Sequence, residues 1–407
     1  MKKIGVALLG LGVVGGGTYQ ILTSQREFIK RNDGIDIEIK CILEKNLDRC
    51  KELGVDLSIV STDIDRVVSD PEISVVAEFF GGIEPAKTFL IKALEAGKSI
   101  VTANKEMFSK NWPELEAAAE KGGSGLYFEA SCAGGIPIIR TLTDGMQANH
   151  VTSLKGIVNG TTNYILSRMS DEGVDYAACL KDAQALGYAE ADPTADVEGF
   201  DAMYKNREGL SGIAVHDINN GQALGYTIKL LAISKNRDGK IEARVHPAFL
   251  PSGHPLSSVS GSFNAVYVHG DSVDDIMLYG RGAGALPTGS AIVSDIVFAA
   301  GRTEHRKFPW ELESEVRDED FASDFSSRYY VRLTVSDEEG TLSKITGVFG
   351  RCGISLATVV QKEAVSREVA VIFVTHETRE STMRKALEGI AQLSGVENIA
   401  ALIRVEE

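Results

Sequence analysis

The sequence lacks an excess of positive charge, paired cysteine motifs and long hydrophobic runs. Its 407 residues carry 42 lysines and arginines against 57 acidic residues, a net charge of 42 − 57 = −15. This charge argues against nucleic acid and anionic membranes as partners, because both present phosphates. The five cysteines form no C-x-x-C pair, which is typical of a reduced cytoplasmic protein without disulfides or structural zinc. No apolar run approaches the roughly 18 residues of a membrane span.

The pattern of apolar residues divides the chain into regions. In the first third, strand patterns alternate with helical ones, which predicts a parallel sheet covered by helices on both faces. The middle third mixes helices with stretches that alternate between polar and apolar residues, which indicates an α+β region. Residues 304–328 are polar and charge-rich and are predicted to form a linker. The last segment, 329–407, has the predicted order βαββαβ.

A glycine-rich turn follows the first buried strand, KIGVALLG. The stretch LLGLGVVGGG places Gly10, Gly12 and Gly15 in the order G-x-G-x-x-G and opens a helix. The first glycine permits a tight turn, the second lets the backbone approach a pyrophosphate, and the third lets the helix pack close to the sheet. A purely structural turn is the alternative, but the strand–turn–helix context favours a dinucleotide site.

The end of the second strand bears on the choice of dinucleotide. The stretch ILEKN offers Glu44, which suits the ribose hydroxyls of NAD, and Lys45, which suits the 2′-phosphate of NADP. Because an acid and a base stand side by side, the sequence leaves NAD and NADP both open. Solvation of either side chain is the alternative.

Five longer stretches make the sequence resemble one enzyme family. They are VTANKE (101–106), YFEASCAGGIPIIRTL (127–142), GIVNGTTNYILSRM (156–169), GYAEADPTADVEGFDAMYK (187–205) and GRGAGALPTGSA (280–291). Together and in this order they look like homoserine dehydrogenase, over about residues 1–303. The C-terminal βαββαβ segment resembles an ACT domain, the amino-acid-sensing module that many members of this family carry.

The resemblance implies an α/β architecture of four segments. Residues 1–136 would form a Rossmann-type dinucleotide-binding domain with a parallel sheet. Residues 137–303 would form an α+β domain for substrate binding, catalysis and dimerisation, of which 281–303 return to the first domain. The linker, 304–328, would lead to an ACT regulatory domain at 329–407. Since the family pairs its catalytic domains through the middle sheet, a homodimer or homotetramer is expected.

The resemblance also implies a reaction, the NAD(P)-dependent interconversion of L-aspartate 4-semialdehyde and L-homoserine in threonine, methionine and isoleucine biosynthesis. Hydride addition to an aldehyde builds negative charge on its oxygen, so the site needs a positioned cation or proton donor. Lys205 matches the family's catalytic lysine, and Lys105 matches its second active-site lysine. Two ammonium groups near one oxygen would lower each other's pKa. Without the family, Asp201 and Lys205 would indicate a helical i,i+4 salt bridge.

Further contacts of the family carry over to other positions in the matched motifs. Carboxylates suit the α-ammonium of the substrate, and the residues that match substrate contacts are Gly187, Glu190, Asp196 and Asp201. Two other acids of this stretch, Asp192 and Glu198, are assigned to solvent or capping. The residues that match cofactor contacts are Gly10, Gly12, Val13, Val14, Gly15, Glu44, Lys45, Gly81, Thr102, Lys105 and Gly284.

The turn EASCAGGIP has a separate implied role. In the family, its backbone carbonyls coordinate a monovalent cation, and the matching positions are Glu129, Cys132, Gly134 and Ile136. Na⁺ or K⁺ held by such oxygens would be structural rather than a Lewis acid. A turn without an ion is the alternative.

The sequence departs from the family directly after Lys205. A long apolar helix is expected there, but DAMYK passes straight to NREGLSGI. If the protein is naturally deleted at this point, the absence of the helix predicts weakened catalysis. The absence also keeps open a different function, a protein that senses nucleotide and amino acid without turnover. A further alternative is an acylating aldehyde dehydrogenase with Cys132 as nucleophile, although no histidine lies in the neighbouring motifs to serve as its base.

The ACT-like segment implies an effector. Such modules often bind amino acids around the loop after their first strand, at interfaces between paired copies. Here that loop is SDEEGTLS, with Gly340 at the turn into a helix. Threonine, the end product of the pathway, is the predicted effector, and a purely structural dimerisation role is the alternative.

Overall fold

A computed structural model describes residues 2–199, 207–237, 239–302, 317–361 and 368–407. The chain divides into two compact units, 1–150 with 278–315 and 151–277 with 316–407. These units do not coincide with the four predicted segments. Residues 137–150 lie with the N-terminal unit, and 329–407 share a unit with the middle of the chain. Within the described ranges, no helix has the length and apolar character needed to cross a membrane.

The strands of the described residues follow in chain order. They are β1 (Lys2–Leu9), β2 (Ile35–Leu43), β3 (Val60–Ser61), β4 (Ile73–Glu78), β5 (Ser99–Thr102), β6 (Leu126–Tyr127), β7 (Val151–Ile157), β8 (Tyr226–Arg237), β9 (Lys240–Pro251), β10 (Phe263–Gly270), β11 (Asp274–Arg281), β12 (Ser326–Ser336), β13 (Leu356–Gln361), β14 (Glu368–Thr375), β15 (Thr378–Arg379) and β16 (Val396–Val405).

The helices are α1 (Val13–Ser24), α2 (Arg26–Asp33), α3 (Leu47–Glu52), α4 (Asp65–Val68), α5 (Ala86–Glu95), α6 (Lys105–Lys110), α7 (Trp112–Gly122), α8 (Ile138–Arg140), α9 (Gly160–Glu172), α10 (Tyr176–Ala185), α11 (Thr194–Val197), α12 (Val215–Ala223), α13 (Ala285–Ala300), α14 (Thr341–Arg351) and α15 (Glu380–Ala391).

The first unit is built on a parallel sheet in the order β3-β2-β1-β4-β5-β6. β1 is buried from Ile4 to Leu9, as the apolar run KIGVALLG predicted, and β4 is buried at all but one position, whereas β2 is partly exposed in its middle. This is the doubly wound order of dinucleotide-binding domains, with the switch point between β1 and β4. The predicted α/β class with a Rossmann-type sheet is confirmed.

Helix α13 completes the first unit by packing against α1. Glycines permit the close approach of the two helices: a Cβ at Gly17 would lie 2.1 Å from the carbonyl oxygen of Ala285, and one at Gly289 would lie 2.9 Å from the amide of Thr18. Apolar residues of α13, such as Ile292 and Ile296, join the core on this face of the sheet. Helices α5 and α7 supply the core on the other face.

The second unit is built on a mixed sheet in the order β11-β10-β7-β8-β9-β16-β12-β14-β13. Most of its pairs are antiparallel, but β16 pairs with β9 in parallel, with Arg404 opposite Ala248 and Val405 opposite Phe249. The βαββαβ order predicted for the C-terminal segment is observed from β12 to β16, with the two-residue strand β15 as an addition before α15. Its sheet is therefore continuous with that of the middle segment.

The two faces of this sheet carry different cores. Tyr330 of β12 packs with apolar residues of α9, α10 and α12. Its neighbours Tyr329 and Val331 pack with residues of α14 and α15. Because successive side chains of a strand point to opposite faces, the helices of the C-terminal segment and those of the middle segment lie on opposite faces.

Candidate functional site

The glycine turn of the first unit has the geometry of a dinucleotide-binding loop. Gly10 follows β1 with φ of 99°, in the left-handed region that favours glycine. A Cβ at Gly15 would lie 2.3 Å from the carbonyl oxygen of Gly10, so that position also requires glycine. At Gly12, by contrast, no heavy atom lies within 4 Å of where a Cβ would be. Open space beside the N-terminus of α1 fits the approach of a pyrophosphate.

Glu44 lies directly against this turn. One of its carboxylate oxygens accepts a hydrogen bond from the amide of Leu11 at 2.7 Å. The other accepts from the amides of Lys45 and Asn46, both at 2.8 Å. The carboxylate thus ties the end of β2 to the glycine turn, whereas Lys45 is exposed.

Arg49 is a neighbour of the turn that sequence reasoning missed. Its Nε donates to the carbonyl oxygen of Leu11 at 3.1 Å, and its guanidinium also pairs with Glu52 at 3.1 Å. The available signal was a basic residue about one helical turn after Asn46, the residue that caps α3. Arg49 therefore places a permanent positive charge beside the predicted cofactor loop.

The other predicted cofactor positions of this unit differ in exposure. Gly81 and Lys105 are exposed, and Lys105 is the first residue of α6. Thr102 is fully buried, and its hydroxyl donates to the carboxylate of Glu78 at 2.6 Å. Gly284 is exposed, caps the N-terminus of α13, and has φ of 127°. The side chain of Thr102 thus points into the protein.

The turn at Glu129–Ile136 depends on left-handed backbone. Ala133 and Gly134 have φ of 51° and 57°. A Cβ at Gly134 would lie 2.0 Å from the carbonyl oxygen of Gly282, so glycine is required for this close approach. Two of the four carbonyls predicted to bind a cation already accept hydrogen bonds: that of Glu129 from Cys132 at 3.3 Å, and that of Ile136 from Ile138 at 2.8 Å.

A buried clamp holds this turn in place. The carboxylate of Glu129 accepts from the amides of Ile139 and Arg140, both at 2.8 Å, and the amide of Glu129 donates to Asp295 at 2.9 Å. Arg140 pairs with Asp295 at 2.5 Å. Burial raises the pKa of Asp295 to about 7. Sequence reasoning missed Asp295, because 166 residues separate it from Glu129.

Cys132 does not have the character of a nucleophile. Although the residue is exposed, desolvation of its thiol raises the pKa, Glu129 adds to that effect, and Lys105 only partly opposes it. A reactive cysteine needs the opposite shift, toward thiolate. The direction of this pKa shift disfavours the acylating aldehyde dehydrogenase, which needs a thiolate at Cys132.

In the second unit, the motif NGTT holds the predicted substrate loop. Asn159 caps α9 by accepting from the amide of Thr162 at 2.9 Å, and its Nδ2 donates to Asp196 at 2.8 Å. The hydroxyl of Thr161 donates to the carbonyl oxygen of Tyr188 at 2.6 Å. The start of α9 therefore fixes this loop at two points, one of which is the predicted substrate residue Asp196.

The remaining acids of this loop behave differently from Asp196. Glu190 is exposed, and so is Gly187 of the same loop, whose φ is 75°. Asp192 accepts from the hydroxyl of Thr194 at 2.6 Å and from its amide at 3.1 Å, which is a capping arrangement. Glu190 is therefore available to a ligand, whereas Asp192 is engaged locally.

The predicted residues Asp201 and Lys205 lie outside the described residues. The positions that flank their segment meet at one residue of β9. A Cβ at Gly199 would contact Val245 at 3.2 Å, and the amide of Glu208 donates to the carbonyl oxygen of Val245 at 2.8 Å. The described residues on either side of segment 200–206 therefore lie close to Val245.

Comparison with known proteins gives one consistent family. The family model described as homoserine dehydrogenase matches residues 137–207 and 206–297, and the model of the NAD binding domain of homoserine dehydrogenase matches residues 10–129. The homoserine dehydrogenase of Bacillus subtilis is 39% identical over 431 residues, which cover 100% of this chain and 99% of the relative. That of Neisseria gonorrhoeae is 38% identical over 437 residues, with the same coverage of each chain.

A solved structure agrees with these relatives. The crystal structure of a homoserine dehydrogenase from Thiobacillus denitrificans superposes with a TM-score of 0.88 at 38% identity, covering 100% of this chain and 99% of that one. The homoserine dehydrogenase model matches in two pieces rather than one, and the pieces meet at residues 206–207, directly after Lys205. The alignment with the Bacillus subtilis relative has at least 431 − 407 = 24 positions without a residue of this chain.

Similarity over the whole chain, the doubly wound sheet and the glycine turn lead to the same conclusion. The chain belongs to the homoserine dehydrogenase family, whose members are NAD(P)-dependent oxidoreductases that act on a CH–OH group.

Proposed function

We propose that this chain interconverts L-aspartate 4-semialdehyde and L-homoserine in threonine, methionine and isoleucine biosynthesis, with NADP or NAD as cofactor. The observation that carries the proposal is the glycine turn, where Gly10 and Gly15 are required by geometry and Gly12 faces open space. When bound, the dinucleotide supplies or accepts the hydride. Its pyrophosphate would lie over Gly12–Gly15, at the N-terminus of α1.

The adenosine end of the cofactor would lie near Glu44. The carboxylate already accepts three backbone hydrogen bonds, and a ribose hydroxyl can add a further one, because an ionised carboxylate offers about four acceptor positions. Lys45 and Arg49 supply the positive charge that a 2′-phosphate needs. Both cofactors therefore remain in the proposal.

Two lysines would handle the proton. In the reductive direction, negative charge develops on the carbonyl oxygen, and Lys205 would donate the proton there while Lys105 stabilises the charge. In the oxidative direction, the neutral amine would take the proton from the hydroxyl of homoserine. The exposed position of Lys105 at the start of α6 suits a group that meets a ligand.

The carboxylates of the second unit would hold the substrate. Glu190 and Asp201 would accept hydrogen bonds from the α-ammonium group, Gly187 would contribute backbone contact, and Asp196 would line the same site. The bond from Asn159 to Asp196 supports this assignment, because it fixes one carboxylate of an otherwise exposed loop.

The test is oxidation of L-homoserine, followed at 340 nm with NAD⁺ and NADP⁺ in parallel. The proposal expects turnover by the 407-residue chain with at least one cofactor, and loss of at least 100-fold in kcat for Lys205→Ala. Lys45→Ala serves as the matched surface-lysine control, expected to change the KM for cofactor and leave kcat within about twofold. Absence of turnover with both cofactors would overturn the proposal.

A second candidate is a catalytically impaired protein that binds nucleotide and amino acid. The interruption of the family match directly after Lys205 favours it. This candidate expects enhancement of NADPH fluorescence on binding, without oxidation of homoserine by any cofactor. Turnover at the level of a full-length relative would exclude it.

We further propose that residues 329–407 are an ACT domain that senses threonine. The order β16-β12-β14-β13 and the two helices on one face support it, because they give a βαββαβ layer with the first strand in the interior of the sheet. Gly340, with φ of 85°, forms the turn at the predicted effector loop. Inhibition by L-threonine in the turnover assay tests this, with D-threonine as control.

Assembly, location and cation binding stay predictions. A homodimer or homotetramer is expected, and sedimentation equilibrium distinguishes the two. A cytoplasmic location is expected from the absence of cysteine pairs in the sequence. A structural Na⁺ or K⁺ is proposed at the carbonyls of Glu129, Cys132, Gly134 and Ile136. The left-handed backbone at Ala133 and Gly134 supports a concave turn there.

A further inference from the structure

A buried carboxylate that none of the predicted contacts includes lies at the end of β4. Glu78 is the last residue of the strand, and its side chain is fully buried. One of its oxygens accepts a hydrogen bond from the amide of Phe80 at 2.5 Å, and the other accepts from the hydroxyl of Thr102 at 2.6 Å. Glu78 therefore joins the carboxyl ends of two neighbouring strands, β4 and β5. In doubly wound sheets, ligands bind at that edge.

Thr102 connects the carboxylate to Asn104. Its hydroxyl gives its one proton to Glu78 and accepts from the amide of Asn104 at 2.9 Å. The side chain of Asn104 donates to the carbonyl oxygens of Phe80 at 3.0 Å and Gly82 at 2.7 Å. These bonds close a ring that contains both strand ends and the loop after β4.

Asn104 also determines where α6 begins. Its Oδ1 accepts from the amide of Met107 at 3.1 Å, so it is the N-cap of the helix whose first residue is Lys105. A cap of this kind fixes the backbone of the first helical turn. The position of Lys105 thus depends on Asn104, and Asn104 is held by the network around Glu78.

We propose that Glu78 is a positioning residue, which by accepting a hydrogen bond at each of its two oxygens fixes both the loop that carries Gly81 and the start of the helix that carries Lys105. The inference rests on the proposed function, because Gly81 and Lys105 are its predicted cofactor and active-site residues. Burial raises the pKa of Glu78, and hydrogen bonds from Thr102, Phe80 and Asn104 oppose that rise. Burying a carboxyl group costs free energy. Here the buried carboxyl group connects the loop that carries Gly81 to the start of the helix that carries Lys105.

The chemistry of the network requires an acceptor at both oxygens. Phe80 supplies an N–H and Thr102 an O–H, and the Thr102 oxygen also accepts from the amide of Asn104. In Glu78→Gln, one acceptor becomes an NH₂ donor. If the NH₂ group faces Phe80, it opposes the N–H donor of that residue. If it faces Thr102, the hydroxyl of Thr102 must turn its proton away. An isosteric, uncharged substitution therefore breaks or reverses one link of the ring without removing volume.

Hydrogen exchange of the full-length protein, measured by mass spectrometry, tests the proposal together with NADPH binding by fluorescence. Glu78→Gln is expected to speed exchange in 79–85 and in 102–108 at least tenfold and to weaken NADPH binding about tenfold. The control is Val76→Ala, a fully buried apolar position on the same strand, which is expected to leave both loops and the binding unchanged. Unchanged exchange in either loop, or the same local pattern in the control, would overturn the proposal.

A second pair of variants keeps the test decisive if Glu78→Gln does not fold. Thr102→Val removes the hydroxyl at nearly constant volume, and Thr102→Ser retains it. The proposal expects faster exchange of both loops in the valine variant and rescue by serine, and equal behaviour of the two would contradict it. In a turnover assay, Glu78→Gln should lower kcat and raise the KM for cofactor while the KM for homoserine stays within twofold. A wild-type chain without turnover would overturn the proposed function and leave the exchange comparison valid.

Discussion

Removing the guanidinium of Arg332 is expected to destabilise the second unit strongly. Asp217 of α12 is fully buried, and its two oxygens accept hydrogen bonds from Nε and Nη2 of Arg332 on β12 at 2.6 and 2.9 Å. The hydroxyl of Tyr330 donates to the same carboxylate at 3.0 Å. The pair joins a helix of the middle segment to the first strand of the βαββαβ segment.

The magnitude follows from the burial of Asp217. Arg332→Ala leaves a buried carboxylate without its cation, and breaking a buried pair from one side costs roughly 3–5 kcal/mol. Arg328→Ala on the same strand is the matched control. Its partner at 3.0 Å, Glu407, is 73% exposed, and pairs of that kind contribute roughly 0–1 kcal/mol.

Urea unfolding followed by circular dichroism, at one protein concentration, measures both variants. Arg332→Ala should lower the free energy of unfolding by several times more than Arg328→Ala. The double variant Asp217→Leu with Arg332→Met should recover most of the loss, because an apolar pair removes the uncompensated charge. Equal costs for Arg332→Ala and Arg328→Ala would refute the reasoning.

This pair also bears on how threonine sensing should be tested. Deleting 329–407 would remove Arg332 and Tyr330 together and leave Asp217 without these partners. Point variants therefore test threonine sensing more cleanly than truncation.

Three further predictions concern the first unit. Burial raises the folded-state pKa of Asp295 from 3.8 to about 7. The contribution of Asp295 to stability is therefore present below pH 4 and is lost as the pH rises through 7. Asp295→Asn should flatten the dependence of melting temperature on pH between these values. Cys132→Ser should retain kcat within about threefold, and thiol alkylation that abolished turnover in wild type but not in this variant would contradict it. Gly134→Ala should destabilise the turn, since the added Cβ would meet Gly282. Equal melting temperatures for variant and wild type would contradict this. The same variant tests the proposed cation, because any activation by K⁺ or Na⁺, measured against a choline control, should be lost.

Local patterns explain which parts of the fold could be predicted. Gly10, Gly12 and Gly15 lie within one short stretch of the sequence, so their spacing and the strand before them were enough to predict the turn. The βαββαβ order likewise follows from periodicity within short segments. The parallel pairing of β16 with β9 could not be predicted, because the sequence separation is large and only Arg404 and Val405 take part.

The site residues that could not be predicted from the sequence contact partners that lie far away along the chain. Asp295 acts on a turn 166 residues earlier, and Glu78 binds Thr102 24 residues later. Both lie within apolar stretches, where one acid gives no sign of its partner. Glu44 was predicted as a ribose ligand, and the structure adds a contact with Leu11 that depends on the turn geometry.

The helix expected after Lys205 is absent from the sequence, but Glu208, which follows that position, is firmly held in the structure. Glu208 accepts hydrogen bonds from the guanidinium of Arg404 at 2.5 and 2.8 Å and from that of Arg384 at 3.1 Å. Burial alone would raise the pKa of Glu208, but the hydrogen bonds and charge of Arg404 outweigh it and lower the pKa, which favours the ionised carboxylate. Both arginines belong to the C-terminal segment, so that segment holds the residue three positions after Lys205. Glu208→Gln should therefore lower kcat with little change in NADPH binding. If it changes neither kcat nor the KM for homoserine, the anchor does not serve the lysine.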